Sequence, residues 1–362
     1  MNEPFNLDFV LKSFDFKGKY RDFDTKNDGN INSTYVLSFD EGGCEKKYTL
    51  QKINTYVFKK PDELMQNITG ITQHIRKKGD MLTLNFIRSK NGKYFCTDDD
   101  GNYWRSYEYI DGVYTCNTID NADVFKSSGK AFGRFQSILS DYPIDTLYET
   151  IPDFHNTYKR FLAFKRSLES APEERKAPMK EEINYLLSKE EDCGYLVGLI
   201  KNGELPLRVT HNDTKLNNIL FDNATDEGVC IIDLDTVMPG LSLYDFGDSI
   251  RFGANTAAED ERDTRKISLD LELFKAYSEG YLSEAKDSLT EREISLLPFS
   301  AYIMTLELAL RFLTDLLDGD IYFKTNYPGH NAVRTRAQLA LCKDIEKKLP
   351  EMQGITEAII NA

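Results

Sequence analysis

Apolar, β-rich runs at residues 34–39, 47–53, 81–87 and 94–97, separated by Gly, Asp and Asn turns, predict strands up to about residue 110. One stretch breaks that pattern. From Pro61 to Lys77 a proline suited to a first turn is followed by Leu64, Ile68, Ile71 and Ile75 at helical spacing, which predicts a single helix inserted among strands. After Asn121 the periodicity becomes helical, over 122–139, 153–168, 179–202, 267–281, 291–317 and 332–349. A short β-like island interrupts these helices at 207–210, 219–221 and 229–233. The pattern predicts an α+β fold of two lobes: an antiparallel-sheet lobe over residues 1–112 and a mainly helical lobe over 113–362. The hinge is expected near 107–117, and a boundary between lobes is a natural ligand cleft.

Composition narrows the function classes. The chain has 362 residues, 41% hydrophobic and 29% charged, enough to bury a sizeable interior. A formal net charge of −14 argues against a broad basic face for nucleic acid or anionic lipid. The start of the chain lacks the basic and apolar segments of a secretory signal, and no window is read as reaching the ~18 apolar residues of a membrane span. A cytoplasmic monomer is expected, with small molecules as partners. Cys44, Cys96, Cys116, Cys193, Cys230 and Cys342 show no Cys-x-x-Cys spacing, and Cys230 reads as a buried thiol.

The densest polar chemistry falls in the island. His211-Asn212-Asp213-Thr214-Lys215-Leu216-Asn217-Asn218 places an Asp before an Asn at the spacing of a kinase catalytic loop. Phosphoryl transfer needs a carboxylate to orient the attacking hydroxyl and oxygen ligands to hold magnesium against the triphosphate. Asp213 suits the first role and Asn218 the second. His211 is expected to brace the loop backbone. The apolar run Val229-Cys230-Ile231-Ile232 then ends in Asp233-Leu234-Asp235, and both acids project to one side if the strand continues. Asp233 is read as the principal metal ligand and Asp235 as a weaker one.

Asp245-Phe246-Gly247 matches a kinase magnesium triplet, but no apolar strand leads into it, so Asp245 and Asp248 are read as helix-start groups that tie backbone together. On the ATP side, Lys52 lies between apolar neighbours in a predicted strand and is expected to reach the phosphates, with Glu63 as a possible partner. The turn at 29–34, including Asn32, could present amides to phosphate. Glu108 and Tyr109 at the hinge are expected to contact ATP, and Trp104 and Tyr107 either wall the adenine or pack the sheet. His74, His155 and His330 show no metal spacing and are assigned no function.

These stretches, with Leu50-Gln51-Lys52-Ile53-Asn54 and Ile232-Asp233-Leu234-Asp235-Thr236-Val237-Met238-Pro239-Gly240, resemble the aminoglycoside phosphotransferase and choline kinase superfamily, and N-acetylhexosamine 1-kinases within it. The resemblance implies a protein-kinase-like fold, ATP and Mg2+ as cofactors, and phosphorylation of N-acetylglucosamine or N-acetylgalactosamine at the anomeric hydroxyl. It implies Asp213 as base and sugar contact, Asn218 and Asp233 on magnesium, and Phe252, Arg311 and Tyr322 around the sugar. The absence of an Ala-Pro-Glu element favours a small-molecule acceptor over a protein. Two other readings stay open: a kinase for an amino alcohol or aminoglycoside, which the acidity would suit, and a nucleotide-binding protein without catalysis.

Overall fold

The structure, a computed structural model, describes residues 5–26, 32–119 and 121–362. Strands β1 (Lys19–Lys26), β2 (Ser33–Glu41), β3 (Cys44–Ile53), β4 (Cys96–Thr97) and β5 (Tyr103–Glu108) form an antiparallel sheet in the order β1-β2-β3-β5-β4. Because side chains alternate along a strand, the sheet sorts its residues onto two faces. Tyr35, Leu37, Phe39, Tyr48, Leu50 and Trp104 share an outer cluster with Phe5 and with Val10 of helix α1 (Leu7–Ser13). The opposite face carries Val36, Thr49 and Tyr107 in one cross-strand row, and Thr34, Gln51 and Arg105 in the next. Helix α2 (Pro61–Lys78) begins with Pro61, Asp62 and Glu63, buries Leu64, Ile68, Ile71 and Ile75, and stops at left-handed Gly79.

Residues 109–112 connect β5 of this sheet to β6 (Val113–Tyr114), which belongs to a second sheet of order β6-β8-β9. The helical lobe contains α3 (Ala122–Ile138), α4 (Thr157–Ser170), α5 (Glu173–Lys176), α6 (Lys180–Leu187) and α7 (Glu190–Lys201). There follow β7 (Arg208–Thr210), β8 (Ile219–Asp222), β9 (Gly228–Ile231) and β10 (Met238–Gly240), β7 pairing with β10. Helices α8 (Ser242–Gly253), α9 (Leu271–Ala285), α10 (Glu291–Asp318) and α11 (His330–Asn361) complete it. Gly129 and Gly133 on α3 and Gly280 on α9 let these two helices meet backbone to backbone, since a Cβ at any of them would collide with a carbonyl of the partner helix. One large apolar cluster runs from α2 through to α11 and includes fully buried Cys230.

Four expectations change. Residues 81–87 make no strand: Leu82 bridges to Cys230 and Phe86 to Tyr107, so this backbone finds partners singly in two sheets instead of in one ladder. Residues 19–26 and 103–108 are strands and 7–13 a helix, none of them anticipated. The helix predicted over 179–202 is broken between α6 and α7, whereas α11 continues through Pro350. Finally, α10 is long and apolar enough by length and composition to cross a membrane; most of its apolar stretch is buried in the fold as the central helix of the lobe.

Candidate active site

Strand β7 delivers the chain into the loop from His211 to Asn218, and the loop is held from every side. Both carboxylate oxygens of Asp245 accept backbone N–H groups, from His211 at 2.8 Å and Asn212 at 2.7 Å. His211 Nε2 lies 2.9 Å from the carbonyl of Ile232, and its Nδ1 accepts the Asp213 N–H at 3.3 Å. That pattern requires the proton on Nε2. Asn212 takes a left-handed conformation with φ 65°, which Asn tolerates better than most residues, and its side chain donates to the Thr236 carbonyl at 2.9 Å. Asp245 lies in the first turn of α8 and ties backbone together, as expected of a helix-start group, although the backbone it holds is not the one a helix cap would hold. Asp245 ties down the loop rather than its own helix, and Asp248 binds Arg251 at 2.8 Å.

Asp213 is partly exposed at the end of this clamp, and Lys215 Nζ lies 2.8 Å from its Oδ1. Burial opposes the Lys215 ammonium, but Asp213, with Asp248 behind it, more than offsets this and raises its pKa. Sequence reading passed over Lys215, although its place two residues after Asp213 in the same loop was a usable signal. Asn218 Nδ2 donates to the Asp213 carbonyl at 2.8 Å, and its amide oxygen, the ligand atom, has no hydrogen-bond partner among the described residues. Asp233 sits at φ 56°, ψ 52°, is exposed, and has no hydrogen-bond donor to its carboxylate among the described residues. Desolvation by the surrounding protein, then the like charges of Asp235 and Asp213, push its carboxyl upward. The Asn218 backbone carbonyl accepts the Ile232 N–H at 2.9 Å, which brings Asn218 to the residue before Asp233, and hard oxygen donors like those of the two side chains fit magnesium, which takes few protein ligands. Among the described residues no group of three or more His, Cys, Asp or Glu side chains gathers as a metal cage.

Asp235 is not such a ligand. The strand ends at Ile231 and Asp233 turns left-handed into a short 3-10 turn, so the two acids do not share a side. Asp235 is instead buried in a bidentate pair with Arg105 of β5, Nη2 to Oδ2 being 3.0 Å, and also accepts from Asn32 Nδ2. Arg105 Nε donates to Gln51 at 2.9 Å. Lys52 is corrected by the same geometry. It pairs across with Trp104 and Ser33, on the outer face, while its neighbour Gln51 faces Arg105. Glu63 pairs with Lys60 at 2.9 Å rather than with Lys52.

The side chain of Asn32 is also committed, donating to Asp235 and accepting the Asn54 N–H at 2.9 Å, so it is not free for ATP. Residues 29–31 of the 29–34 turn lie outside the described residues. At the hinge, the N–H of Glu108 is taken by the Asn85 carbonyl at 2.9 Å and that of Tyr109 by the Lys47 carbonyl at 3.1 Å. An adenine would therefore have to use other backbone groups there. Trp104 packs the outer cluster and donates to Asp98 at 2.8 Å, whereas Tyr107 lies on the cleft-facing side.

On the helical side, the Arg311 guanidinium stands within 6 Å of three rings, Phe154 at 5.9 Å, Tyr322 at 5.9 Å and Phe323 at 5.4 Å. It has no ion pair among the described residues. Asp315 accepts the N–H groups of Tyr322 at 2.7 Å and Phe323 at 3.0 Å, holding that loop while the Tyr322 side chain remains 71% exposed. Arg160 donates to the Phe154 carbonyl at 2.9 Å, its Nε is buried without a partner, and burial, then the charge of Arg311, lower its pKa. Phe252 follows Arg251 on α8 and is partly buried. Next to Phe154, His155 lies 2.8 Å from Glu307 and 3.1 Å from the Asn212 carbonyl, although its sequence context offered no sign of this.

Asp245 supplies a pH test. Burial raises its carboxyl to about 6 against the pull of His211 and the two amides. A raised carboxyl contributes stability that is full below the unfolded value, near 3.9, and is lost as pH rises through the folded value. Activity has the opposite sign, because a protonated Asp245 grips the two amides less well. Between pH 6 and pH 5, kcat is expected to fall while circular dichroism reports an intact fold.

The phosphotransferase enzyme family matches residues 26–285. Among solved structures, an aminoglycoside phosphotransferase from Alicyclobacillus acidocaldarius superposes with a TM-score of 0.61 at 12% identity, covering 99% of this chain and 98% of that one. A spectinomycin phosphotransferase solved with ADP and spectinomycin gives 0.58 at 14% identity over 98% and 99% of the two chains. A choline kinase from Cryptosporidium parvum gives 0.55 at 16% over 92% and 91%. At such identities the structural likeness is one of fold, a sheet lobe on a helical lobe. With the family match spanning well over half of its length, the chain belongs to the phosphotransferase enzyme family.

Proposed function

We propose that the protein transfers the γ-phosphoryl group of ATP to the anomeric hydroxyl of an N-acetylhexosamine, giving the sugar 1-phosphate and ADP. The observation that carries the chemistry is the meeting of Asp213, Asn218 and Asp233 at the end of a clamped loop. Asp213 orients the sugar hydroxyl and takes its proton. The freed oxygen bonds to the γ-phosphorus as the bond from that phosphorus to the β–γ bridging oxygen breaks, leaving ADP. Lys215, beside Asp213, supplies positive charge where the transferring group gathers negative charge. Asn218 and Asp233 would hold Mg2+, which when bound neutralises the phosphates.

The substrate class rests on the resemblance at Asp213, Phe252, Arg311 and Tyr322, and on charge. The related structures carry names of aminoglycoside, spectinomycin and choline enzymes. A cationic amine would be repelled by Arg311 and Arg160, neither of which has an acidic ion-pair partner among the described residues. An uncharged sugar with a carbonyl-bearing acetamide uses those donors and the aromatic faces around them.

A panel of N-acetylhexosamines, amino alcohols and aminoglycosides with ADP release as readout tests this. Turnover is expected on at least one N-acetylhexosamine, with phosphorus NMR locating the phosphate at the anomeric position. Turnover confined to amines would replace the sugar reading with the amino alcohol or aminoglycoside one.

A further inference from the structure

The peptide unit joining Asn212 to Asp213 is held at both ends by an imidazole. Its N–H, on Asp213, donates to His211 Nδ1 at 3.3 Å, and its carbonyl oxygen, on Asn212, faces His155 Nε2 at 3.1 Å. His155 has its other nitrogen, Nδ1, 2.8 Å from Glu307 Oε1, and the second oxygen of Glu307 accepts the Thr157 hydroxyl at 2.6 Å. Both ring nitrogens of His155 therefore face oxygens that act as acceptors, a carboxylate and a carbonyl. An imidazole meets two acceptors only when both nitrogens carry protons, so His155 is an imidazolium with Glu307 as its counter-ion. Both residues are buried, with Glu307 at 1% exposure on α10. A buried pair of this kind is weak evidence of stability, but it fixes geometry, because neither charge can leave the other without a large cost.

The carbonyl it grips belongs to a residue held at φ 65°, a left-handed conformation that Asn tolerates and that the contacts around Asn212 fix. We propose that His155, anchored by Glu307, is a positioning residue that sets the plane of the Asn212–Asp213 peptide and thereby aims the Asp213 carboxylate at the acceptor hydroxyl. The inference rests on the reading of Asp213 as the base. His155 touches neither substrate nor nucleotide in this scheme. It acts through one carbonyl, and a misplacement of about 1 Å at a reacting group costs on the order of 10²-fold in rate.

Two conservative variants separate positioning from packing. His155→Gln retains a donor near the place of Nε2 and can still reach the Asn212 carbonyl. His155→Asn keeps a polar group near Nδ1, toward Glu307, but loses the bond to the loop. Steady-state kinetics should show kcat of His155→Asn falling by about 10²-fold, with KM for ATP and for the acceptor within about twofold. His155→Gln should recover most of that loss at a similar melting temperature. Equal losses in both variants that track their melting temperatures, or no loss in His155→Asn, would overturn the proposal.

Should either variant fail to fold, nitrogen-15 NMR of the wild-type protein decides instead. Both ring N–H protons of His155 are expected as protected signals at neutral pH, and a single one would count against the imidazolium. An Asp213→Asn variant run alongside distinguishes the two ideas. Full activity there removes the base assignment, whereas loss there with an active His155→Asn removes only this inference.

Discussion

Asp213→Asn is expected to lower kcat by about 10²–10⁴-fold, the range for removal of a general base, while the Kd for ATP stays within about twofold. The substitution preserves shape and keeps one oxygen, so the loop should stay closed around it. The backbone of residue 213 would still donate to His211, and its carbonyl would still accept from Asn218. What disappears is the charge that accepts the proton and that faces Lys215 at 2.8 Å. Isothermal titration with ATP beside steady-state turnover checks both halves. Retained turnover would show that another group takes the proton, and a large fall in ATP affinity would show that Asp213 serves binding rather than chemistry.

The second large effect concerns stability. Arg105→Met should destabilise the fold by about 3–5 kcal/mol, because it leaves the Asp235 carboxylate buried without its counter-charge. Both side chains are only 3% exposed, and the pair joins the sheet lobe to the segment that carries Asp233. Adding Asp235→Leu to Arg105→Met should recover much of the loss, since an apolar pair needs no compensation. Lys52→Ala provides the contrast. With its side chain on the outer face and no ion pair among the described residues, it is expected to change stability by no more than about 0.5 kcal/mol. The KM for ATP should barely move. Urea unfolding measures the first set, and an ADP-release titration the second. A tenfold rise in KM for ATP in Lys52→Ala would mean that the sheet presents Lys52 to the cleft after all.

Secondary structure was legible wherever one periodic pattern ran long enough, as in α2, α3 and α10. Short elements were not, because β1 exposes most of its residues and gives little apolar signal, and residues 81–87 share the composition of a strand but bridge only singly, Leu82 to Cys230 and Phe86 to Tyr107. Within the site, a loop of eight residues fixes its own spacing, so His211, Asp213 and Asn218 could be picked out together and even the neglected Lys215 lay in view. The loop's partners came from far along the chain, Asp245 from α8 and His155, backed by Glu307 of α10, from the turn before α4, just as Asp235 found Arg105 on β5.

The sequence by itself determined the two lobes, the loop from His211 to Asn218 and the acid that follows the β9 run, since each depends on local pattern and short spacing. Only the tertiary structure decided which acid stays free. One left-handed residue at Asp233 ends the alternation on which the sequence argument relied, and sends Asp235 into a buried pair with Arg105. Likewise the register of β3 against β5 chose Gln51 over Lys52 for the cleft-facing side, because a shift of one residue reverses every side chain on a strand. Long-range pairing sets such choices, and no local window of the chain contains both partners.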